Sequence, residues 1–407
     1  MAQFHLPKTP KEVFKLGFKD WILYNGLITF FKATGRWKYP ARASGALETM
    51  TTLDKVYWLY KTIYPVKKAE RGLGLEEFFA QQKNFQWELP QGFRAKSELT
   101  FSAVGDLITH EYLANSGQEL YSEVSDLIFG TDISMANLEC VLYPKASGNF
   151  EFDTRSGPPL YYDADTFKIV KGHGQRQFSF MATACNHSLD FGEEGVVSTI
   201  QALHENNIAF HGTNTKKDDA GKATLIEKNG IRIGLISHTL GLNARTPPQH
   251  NPLIVNCTQL NDGPDIDLAL MQTQIDYCRE QKSDAIIAHL HWGMEHELYP
   301  RHEQIELGHH LAEVGVDVII GHHPHVIQPV EFYRTKKNPK RVVPIYYSLG
   351  NLINSFSADY LCESLVAQFT LAKGSEGTYV KVASSTMVRQ SVDGDKKVIK
   401  LSPFYPA

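Results

Sequence analysis

The chain has little of what marks secreted, membrane-spanning or nucleic-acid-binding proteins. Its 407 residues carry a net charge of −4, so it lacks the basic excess expected of a nucleic-acid binder. No apolar run approaches the ~20 residues that span a bilayer, and residues 1–17 contain no apolar core of a secretory signal. We expect a soluble, cytoplasmic protein that does not bind nucleic acid.

Cysteine pairs are lacking as well. The number of cysteines is odd and no CxxC motif is present, which does not indicate a disulfide framework. We therefore expect free thiols in a reducing compartment. The five positions are Cys140, Cys185, Cys257, Cys278 and Cys362.

Several common catalytic motifs are also absent. Neither GxGxxG nor a GxxxxGK loop followed by Ser or Thr occurs, so no nucleotide-binding loop is recognisable. The GxSxG elbow of serine hydrolases is missing too. What is present is an ordinary globular composition, with 42% hydrophobic and 11% aromatic residues.

Residues 1–95 are predicted to form a helical extension. Thr9-Pro10-Lys11-Glu12 has the residue types of a capping box, with proline at the first helical position. Further helices are predicted over 51–64 and 75–82, where apolar residues recur at helical spacing.

The first part of this extension is basic. A basic, aromatic-rich helix of this kind can contact an anionic membrane surface or a protein partner. The alternative is that its apolar face packs on the main domain and its lysines are solvated. In residues 1–42, only Glu12 and Asp20 oppose Lys8, Lys11, Lys15, Lys19, Lys32, Arg36, Lys38 and Arg42.

Residues 96–407 are predicted to form one α/β domain, in which short apolar runs alternate with helix-like stretches such as 195–206 and 301–314. Plain strands and turns follow over 362–407 and complete or flank this domain. The apolar runs are 99–105, 132–138, 178–184, 231–237, 284–290, 316–321 and 343–349.

Polar side chains follow six of these runs directly. Polar groups just beyond the carboxyl ends of strands meet in one crevice in open α/β sheets. Two or more carboxylates, an amide and several imidazoles, without thiolate, suit Mn, Fe or Zn. The sequence therefore indicates a two-metal site that can activate a water. The strand-end residues are Asp106, Asn137, Glu139, Asn186, His187, His289, His291, His322, His323, His325 and Asn351.

The motifs around these residues resemble those of the CapA family of capsule or poly-γ-glutamate synthesis proteins, within the calcineurin-like metallophosphoesterase superfamily. The resemblance covers roughly residues 98–370, in the right order. The matching stretches are GD (105–106), ANLE (136–139), ATACNHSLDFG (182–192), LHWGME (290–295), GHHPHVIQP (321–329) and SLGN (348–351).

This resemblance implies a four-layer α/β/β/α sandwich, metallophosphoesterase-like, with a dinuclear centre of two divalent metal ions. Asp106 would bind the first metal and Glu139 would take the place of the bridging carboxylate. The second metal would be bound by Asn186 and His291. The closing H-x-H ligands would be His323 and His325, and His187 would be the acid that protonates the leaving group.

The sequence departs from the phosphoesterase pattern at one ligand. Ile108 stands where Asp-x-His has its histidine, and His110 is a candidate replacement. Other residues near the motifs are expected to orient ligands or contact substrate. Arg155 would bind an anionic group of the substrate or form a surface salt bridge, and Asp190 would orient a histidine or cap the helix at Gly192. The remaining supporting residues are Glu295, His322 and Asn351.

The favoured function is a metal-dependent hydrolase acting on an anionic small molecule or polymer, either a phosphoester or a glutamyl amide. The alternative is a non-hydrolytic accessory or binding component of a polymer-synthesis complex, which Ile108 and the basic extension favour.

Overall fold

The computed structural model describes residues 17–34, 44–47, 49–144, 159–261, 263 and 266–405. The predicted capping box at Thr9 lies outside these residues. The helices are α1 (Phe18–Thr34), α2 (Thr52–Ile63), α3 (Leu75–Gln82), α4 (Leu113–Ser116), α5 (Ser125–Phe129), α6 (Ala164–Val170), α7 (Gly192–Glu205), α8 (Ala269–Glu280) and α9 (His302–Val314).

The strands include all seven predicted in the α/β region. In chain order they are β1 (Ser97–Leu107), β2 (Ile133–Leu138), β3 (Val141–Leu142), β4 (Tyr161–Tyr162), β5 (Gly172–His173), β6 (Arg176–Gln177), β7 (Phe180–Ala182), β8 (Ala209–His211), β9 (Thr224–Lys228), β10 (Ile231–Thr239), β11 (Ala285–His291), β12 (Val318–His322), β13 (Val330–Arg334), β14 (Val342–Tyr346), β15 (Asn351–Ile353), β16 (Glu363–Gly374), β17 (Gly377–Asp393) and β18 (Val398–Pro403).

Most of these strands form two sheets. The larger has the order β18-β17-β16-β1-β2-β7-β8, and β15 also pairs with β1. The smaller has the order β13-β14-β12-β11-β10-β9. In each sheet the central strands are parallel, β1-β2-β7-β8 in one and β10-β11-β12-β14 in the other. Their carboxyl ends therefore lie at one edge of each sheet.

The two sheets pack face to face, with helices on the outer face of each. Fully buried Phe101 and Phe180 of the larger sheet share a core with Ile287 of the smaller. A second core, which includes Leu203 of α7, covers the outside of the larger sheet. A third, with Leu311 of α9, covers the outside of the smaller. The predicted four-layer α/β/β/α sandwich is confirmed.

The described part of the N-terminal extension packs on this sandwich. Helix α2 begins at a capping box between Thr51 and Asp54, and α2 and α3 lie where the sequence predicts them. Phe79 of α3 is buried edge-on against Tyr347 with ring centroids 5.7 Å apart, so α3 belongs to the outer helical layer.

Helix α1 buries one side and exposes the other. Tyr24 and Ile28 are buried, whereas the apolar side chains of Phe18, Leu23 and Phe30 are 75%, 64% and 48% exposed. Within the described ranges, no helix combines the length and apolar character that a membrane crossing requires. The predicted contact of the basic extension with a membrane or protein stays a prediction.

Candidate metal centre

The strand-end residues meet between the two sheets. In the larger sheet, Asp106 near the end of β1 is in register with Asn137 of β2 and Asn351 of β15. In the smaller sheet, His291 at the end of β11 is in register with His322 of β12. Each sheet thus contributes side chains from the carboxyl ends of its parallel strands, as the strand-end pattern predicts.

Two groups of potential ligands share one carboxylate. Asp106, Glu139 and His291 form the first group, and Glu139, His323 and His325 form the second. Within each group the ligand atoms lie within 4.8 Å of one another. Glu139 Oε1 lies 3.7 Å from His291 Nε2 and 3.9 Å from His325 Nε2. Glu139 therefore stands where a carboxylate bridging two cations would stand.

The donor atoms fit divalent metal ions. Both carboxylate oxygens of Glu139 and both ring nitrogens of His323 are buried without a hydrogen-bond partner among the described residues. Buried polar atoms are usually paired, because an unpaired one retains its full desolvation cost. Cations of the Mn, Fe or Zn type would supply the missing partners to this oxygen and nitrogen set.

Asn186 extends the first group. It follows β7, is 5% exposed, and its amide oxygen lies 3.0 Å from His291 Nε2. An amide has one oxygen and one NH₂, and only the oxygen can bind a cation. The observed orientation places that oxygen beside the neighbouring ligand.

The electrostatics of the centre differ between its two carboxyl groups. Burial opposes ionisation of Asp106, but the adjacent His322, His291 and His325 hold the pKa of this carboxyl well below its usual range. Burial, followed by the charge of Asp106, raises the pKa of Glu139 well above the usual value. The positive charge of bound cations would oppose that rise, so metal binding and ionisation of Glu139 are linked.

Two of the imidazoles, those of His291 and His323, favour the neutral form. Burial lowers the pKa values of His291 and His323 well below the usual value, and the charge of neighbouring imidazoles lowers them further. A neutral imidazole has a free nitrogen lone pair, which is what a metal ligand requires.

At the GHHPH stretch, residues 321–325, the backbone passes very close to the backbone at Tyr347. A Cβ atom on Gly321 would lie 2.0 Å from the carbonyl oxygen of Tyr347, so only glycine fits there. His323 and His325 have φ angles of 94° and 58°, a left-handed conformation that non-glycine residues rarely adopt. Asp106 Oδ2 accepts a hydrogen bond of 3.1 Å from the His323 amide, which ties this turn to β1.

His322 belongs to neither ligand group. Its Nδ1 lies 3.1 Å from Asp106 Oδ1, and its Nε2 lies 3.1 Å from Nδ1 of the stacked His289. Both rings are buried. The predicted supporting role of His322 agrees with this position and stays a prediction.

His187 lies beside the ligands and is partly open to solvent. Its side chain is 14% exposed, and its Nδ1 lies 2.7 Å from Asp190 Oδ2. Asp190 also accepts hydrogen bonds from the Leu160 amide at 2.8 Å and from Arg245 Nε at 3.1 Å. Its side chain does not cap α7, so of the two interpretations of Asp190 the structure shows the contact with histidine.

Of the remaining predicted site residues, two lie beside the ligand groups and one lies apart from them. Asn351 Oδ1 lies 3.0 Å from His325 Nδ1, and Glu295 Oε1 lies 4.0 Å from His323 Nε2. The structure does not bring His110 into either ligand group, because its Nδ1 accepts the backbone amide of Tyr112 at 2.9 Å. Arg155 lies outside the described residues.

Two residues contact the centre in ways that the sequence did not predict: Asn137, a strand-end residue to which no role was assigned, and Trp58. Asn137 donates a hydrogen bond of 2.8 Å to Asp106 Oδ1, and its place in the ANLE stretch could have revealed this. Trp58 of α2 donates through its indole nitrogen to Glu295. No local motif at Trp58 points to a site more than two hundred residues away.

The fold and this centre define a class of protein, an α/β/β/α sandwich with a buried set of candidate metal ligands between its two sheets. The sequence places the chain more narrowly. Residues 100–355 match the model of the family described as bacterial capsule synthesis protein PGA_cap. The chain belongs to this family, as its motifs indicate.

Curated relatives carry related names. The chain is 24% identical to the PGA biosynthesis protein CapA of Bacillus subtilis, over 69% of this chain and 70% of that protein. It is 27% identical to the capsule biosynthesis protein CapA of Bacillus anthracis, over 65% of this chain and 62% of that protein. A probable polyglutamine synthesis accessory protein of Mycobacterium tuberculosis is 24% identical over 56% of each chain.

Solved structures are more distant. A hypothetical protein from Thermus thermophilus superposes with a TM-score of 0.41 at 13% identity, covering 71% of this chain and 98% of that one. A calcineurin-like phosphoesterase from Bacillus subtilis gives a TM-score of 0.35 at 14% identity, covering 72% and 90%. At these scores they add nothing to the layer order that the two sheets establish.

Proposed function

We propose that the protein is a metal-dependent hydrolase that acts on an anionic substrate at a centre of two divalent cations. The observation that carries the proposal is Glu139, a fully buried carboxylate that both ligand groups share and that has no hydrogen-bond partner among the described residues. One cation would be held by Asp106 and Glu139 with His291 and Asn186. The other would be held by Glu139 with His323 and His325. This grouping differs from the one that the family resemblance implies, which divides Asp106 from His291 and Asn186.

The bound cations would supply an activated water and neutralise the charge that develops on the substrate. The chain's own contribution to proton transfer comes from His187 and Asp190. The buried Asp190 carboxylate fixes the orientation of the His187 ring through Nδ1. Nε2 can then deliver a proton to the leaving group, the usual work of a general acid.

The names of the relatives point to the substrate class. Two are described as biosynthesis proteins for capsule or PGA, which supports a substrate from a capsule-type polymer. A phosphoester and a γ-glutamyl amide both place an anionic, oxygen-rich group at the cations. We therefore propose one of these two bonds as the target.

The test is hydrolysis by protein that has been stripped with chelator and reloaded with Mn²⁺ or Zn²⁺. Bis(p-nitrophenyl) phosphate would report phosphoesterase activity and γ-glutamyl-p-nitroanilide would report amidase activity. We expect metal-dependent turnover of one of them. His187→Gln should lower kcat by about 10²–10⁴-fold on the anilide, whose nitrogen must be protonated to leave. Its effect on the nitrophenyl ester should be smaller, because that leaving group departs as an anion. Equal turnover by the stripped and reloaded protein would contradict the proposal.

The second candidate function is a non-hydrolytic accessory component of a polymer-synthesis complex. The observation that favours it is the buried Ile108 in place of a ligating histidine, with His110 engaged by Tyr112. A relative described as an accessory protein supports it too. His323→Ala separates the two functions. If this variant loses a turnover that the unchanged protein has, while partner binding is intact, the result supports the hydrolase. If neither the variant nor the unchanged protein shows turnover and both bind the partner equally, the result supports the accessory role.

A further inference from the structure

We propose that Asn243 is a positioning residue that holds the metal ligand Asn186 and the proton donor His187 at the same time. The inference rests on the proposed function of this centre and extends it to a loop that the ligand motifs do not include. This loop follows β10 and runs from Leu240 to Arg245.

The first contact selects which end of the Asn186 amide faces the centre. Asn186 Nδ2 donates a hydrogen bond of 3.3 Å to Asn243 Oδ1, while Asn186 Oδ1 lies 3.0 Å from His291 Nε2. Rotating the Asn186 amide by half a turn would place two amide oxygens together and turn an NH₂ group toward the ligands. Asn243 therefore holds Asn186 in the only orientation that offers oxygen to a cation.

The second contact involves the other end of the same amide. Asn243 Nδ2 lies 3.4 Å from His187 Nε2, on the opposite side of the ring from Asp190. Asp190 and Asn243 thus hold the imidazole from both nitrogens.

The backbone of the loop is strained at this point. Asn243 and Ala244 follow each other with φ angles of 53° and 60°, and consecutive left-handed residues with side chains are uncommon. The loop is held in this form at both ends by the centre itself. Leu240 N donates to the His291 carbonyl at 2.9 Å, and Arg245 Nε donates to Asp190 at 3.1 Å. Strain that surrounding contacts maintain beside reactive groups indicates a positioning role.

The test uses two substitutions at Asn243 that separate its two contacts. Asn243→Gly keeps the left-handed backbone and removes both contacts. Asn243→Asp keeps an oxygen for Asn186 Nδ2 and removes the donor to His187. The matched control is Asn229→Gly, because Asn229 has the same φ of 53° and lies in the turn between β9 and β10.

Two measurements are made on each variant, Mn²⁺ affinity by titration of the stripped protein and kcat of the reloaded protein. For Asn243→Gly we expect affinity to fall about 10-fold or more, within the range seen for residues that orient ligands, with a lower kcat. For Asn243→Asp we expect affinity at least equal to that of the unchanged protein, but a lower kcat. The control should change neither.

Unchanged Mn²⁺ affinity in Asn243→Gly would overturn the proposal, and so would equal effects in the Asn229→Gly control. Failure of the proposed function gives a different result. If the unchanged protein binds Mn²⁺ and hydrolyses neither substrate, the hydrolase assignment falls and the affinity measurement alone decides the role of Asn243. If the unchanged protein binds no Mn²⁺, both proposals fall.

Discussion

Substituting Lys61 by methionine would remove the ammonium group from a buried cluster of charges that joins α2 to the loop after β11. Lys61 Nζ donates to Glu297 Oε1 at 2.8 Å, and Arg301 donates to both oxygens of Glu297 at 3.0 and 3.1 Å. The side chains of Lys61 and Glu297 are 4% and 1% exposed. The backbones of the same two segments are also joined, because Val66 N donates a hydrogen bond of 2.9 Å to the His296 carbonyl.

The expected loss follows from the environment of Glu297. Burial acts to raise the pKa of this carboxyl, but Lys61 and then Arg301 lower it from its usual 4.5 to about 2. At about 1.4 kcal/mol for each tenfold change in equilibrium, this net lowering of the pKa favours the ionised carboxylate by about 3 kcal/mol after the opposing effect of burial. Of the separate interactions, the charge of Lys61 has the largest favourable effect. Burial also lowers the pKa of the Lys61 ammonium, a cost that methionine avoids. We therefore expect a loss of about 2 kcal/mol.

The assay is urea unfolding followed by intrinsic fluorescence, with Lys168→Met as the matched control. Lys168 pairs with Asp165 at 3.0 Å on the surface, where the side chains are 70% and 88% exposed, so its loss should be within about 0.5 kcal/mol. Because the folded pKa of Glu297 is depressed, its stabilisation is present above pH 4.5 and is lost as the pH falls toward about 2. The difference between Lys61→Met and the unchanged protein should shrink over that interval. Equal losses for the two variants, or a difference that grows in acid, would refute the reasoning.

Three further predictions concern the turn, the proton donor and the thiols. Gly321→Ala should lower the urea midpoint and the Mn²⁺ affinity together, because a Cβ there would lie 2.0 Å from the Tyr347 carbonyl oxygen; an unchanged midpoint would show that the turn can shift freely. Asp190→Asn should lower kcat by about 10²-fold or more while Mn²⁺ binding persists, and loss of Mn²⁺ binding instead would assign Asp190 to the ligand scaffold. Burial raises the pKa values of the Cys140 and Cys185 thiols well above the usual value, so a single-cysteine form of either should react with a thiol reagent at pH 8 only after unfolding, and fast reaction in the folded state would contradict this burial.

The layer order and most of the ligand set could be predicted from sequence because both follow from short-range patterns. Apolar runs that end in Asp, Asn or His identify strands and place their last residues at one sheet edge. Asp106 and His291 are examples, each at the carboxyl end of a parallel strand. Apolar residues at helical spacing likewise predict α2, and the structure adds the capping box at Thr51 where this helix begins.

The features that the sequence did not reveal depend on contacts between distant segments. Lys61 and Glu297 are 236 positions apart, and nothing near Lys61 indicates that its ammonium is buried. Asn243 lies in a loop without a recognisable motif, and its role depends on which end of the Asn186 amide it meets. The assignment of His110 as a replacement ligand was based on spacing alone, and the chain after β1 turns its ring toward Tyr112.

The central claim is that one carboxylate, Glu139, serves two metal positions. Titration of the chelator-stripped protein with Mn²⁺, followed by metal analysis of the separated protein, tests it most directly. The account predicts saturation at about two equivalents, and near-complete loss of both in Glu139→Ala, because each ligand group loses a member. His291→Ala should lose one equivalent, because His291 belongs to only one of the two ligand groups. Binding below about one equivalent in the unchanged protein, or two equivalents retained in Glu139→Ala, would contradict the account.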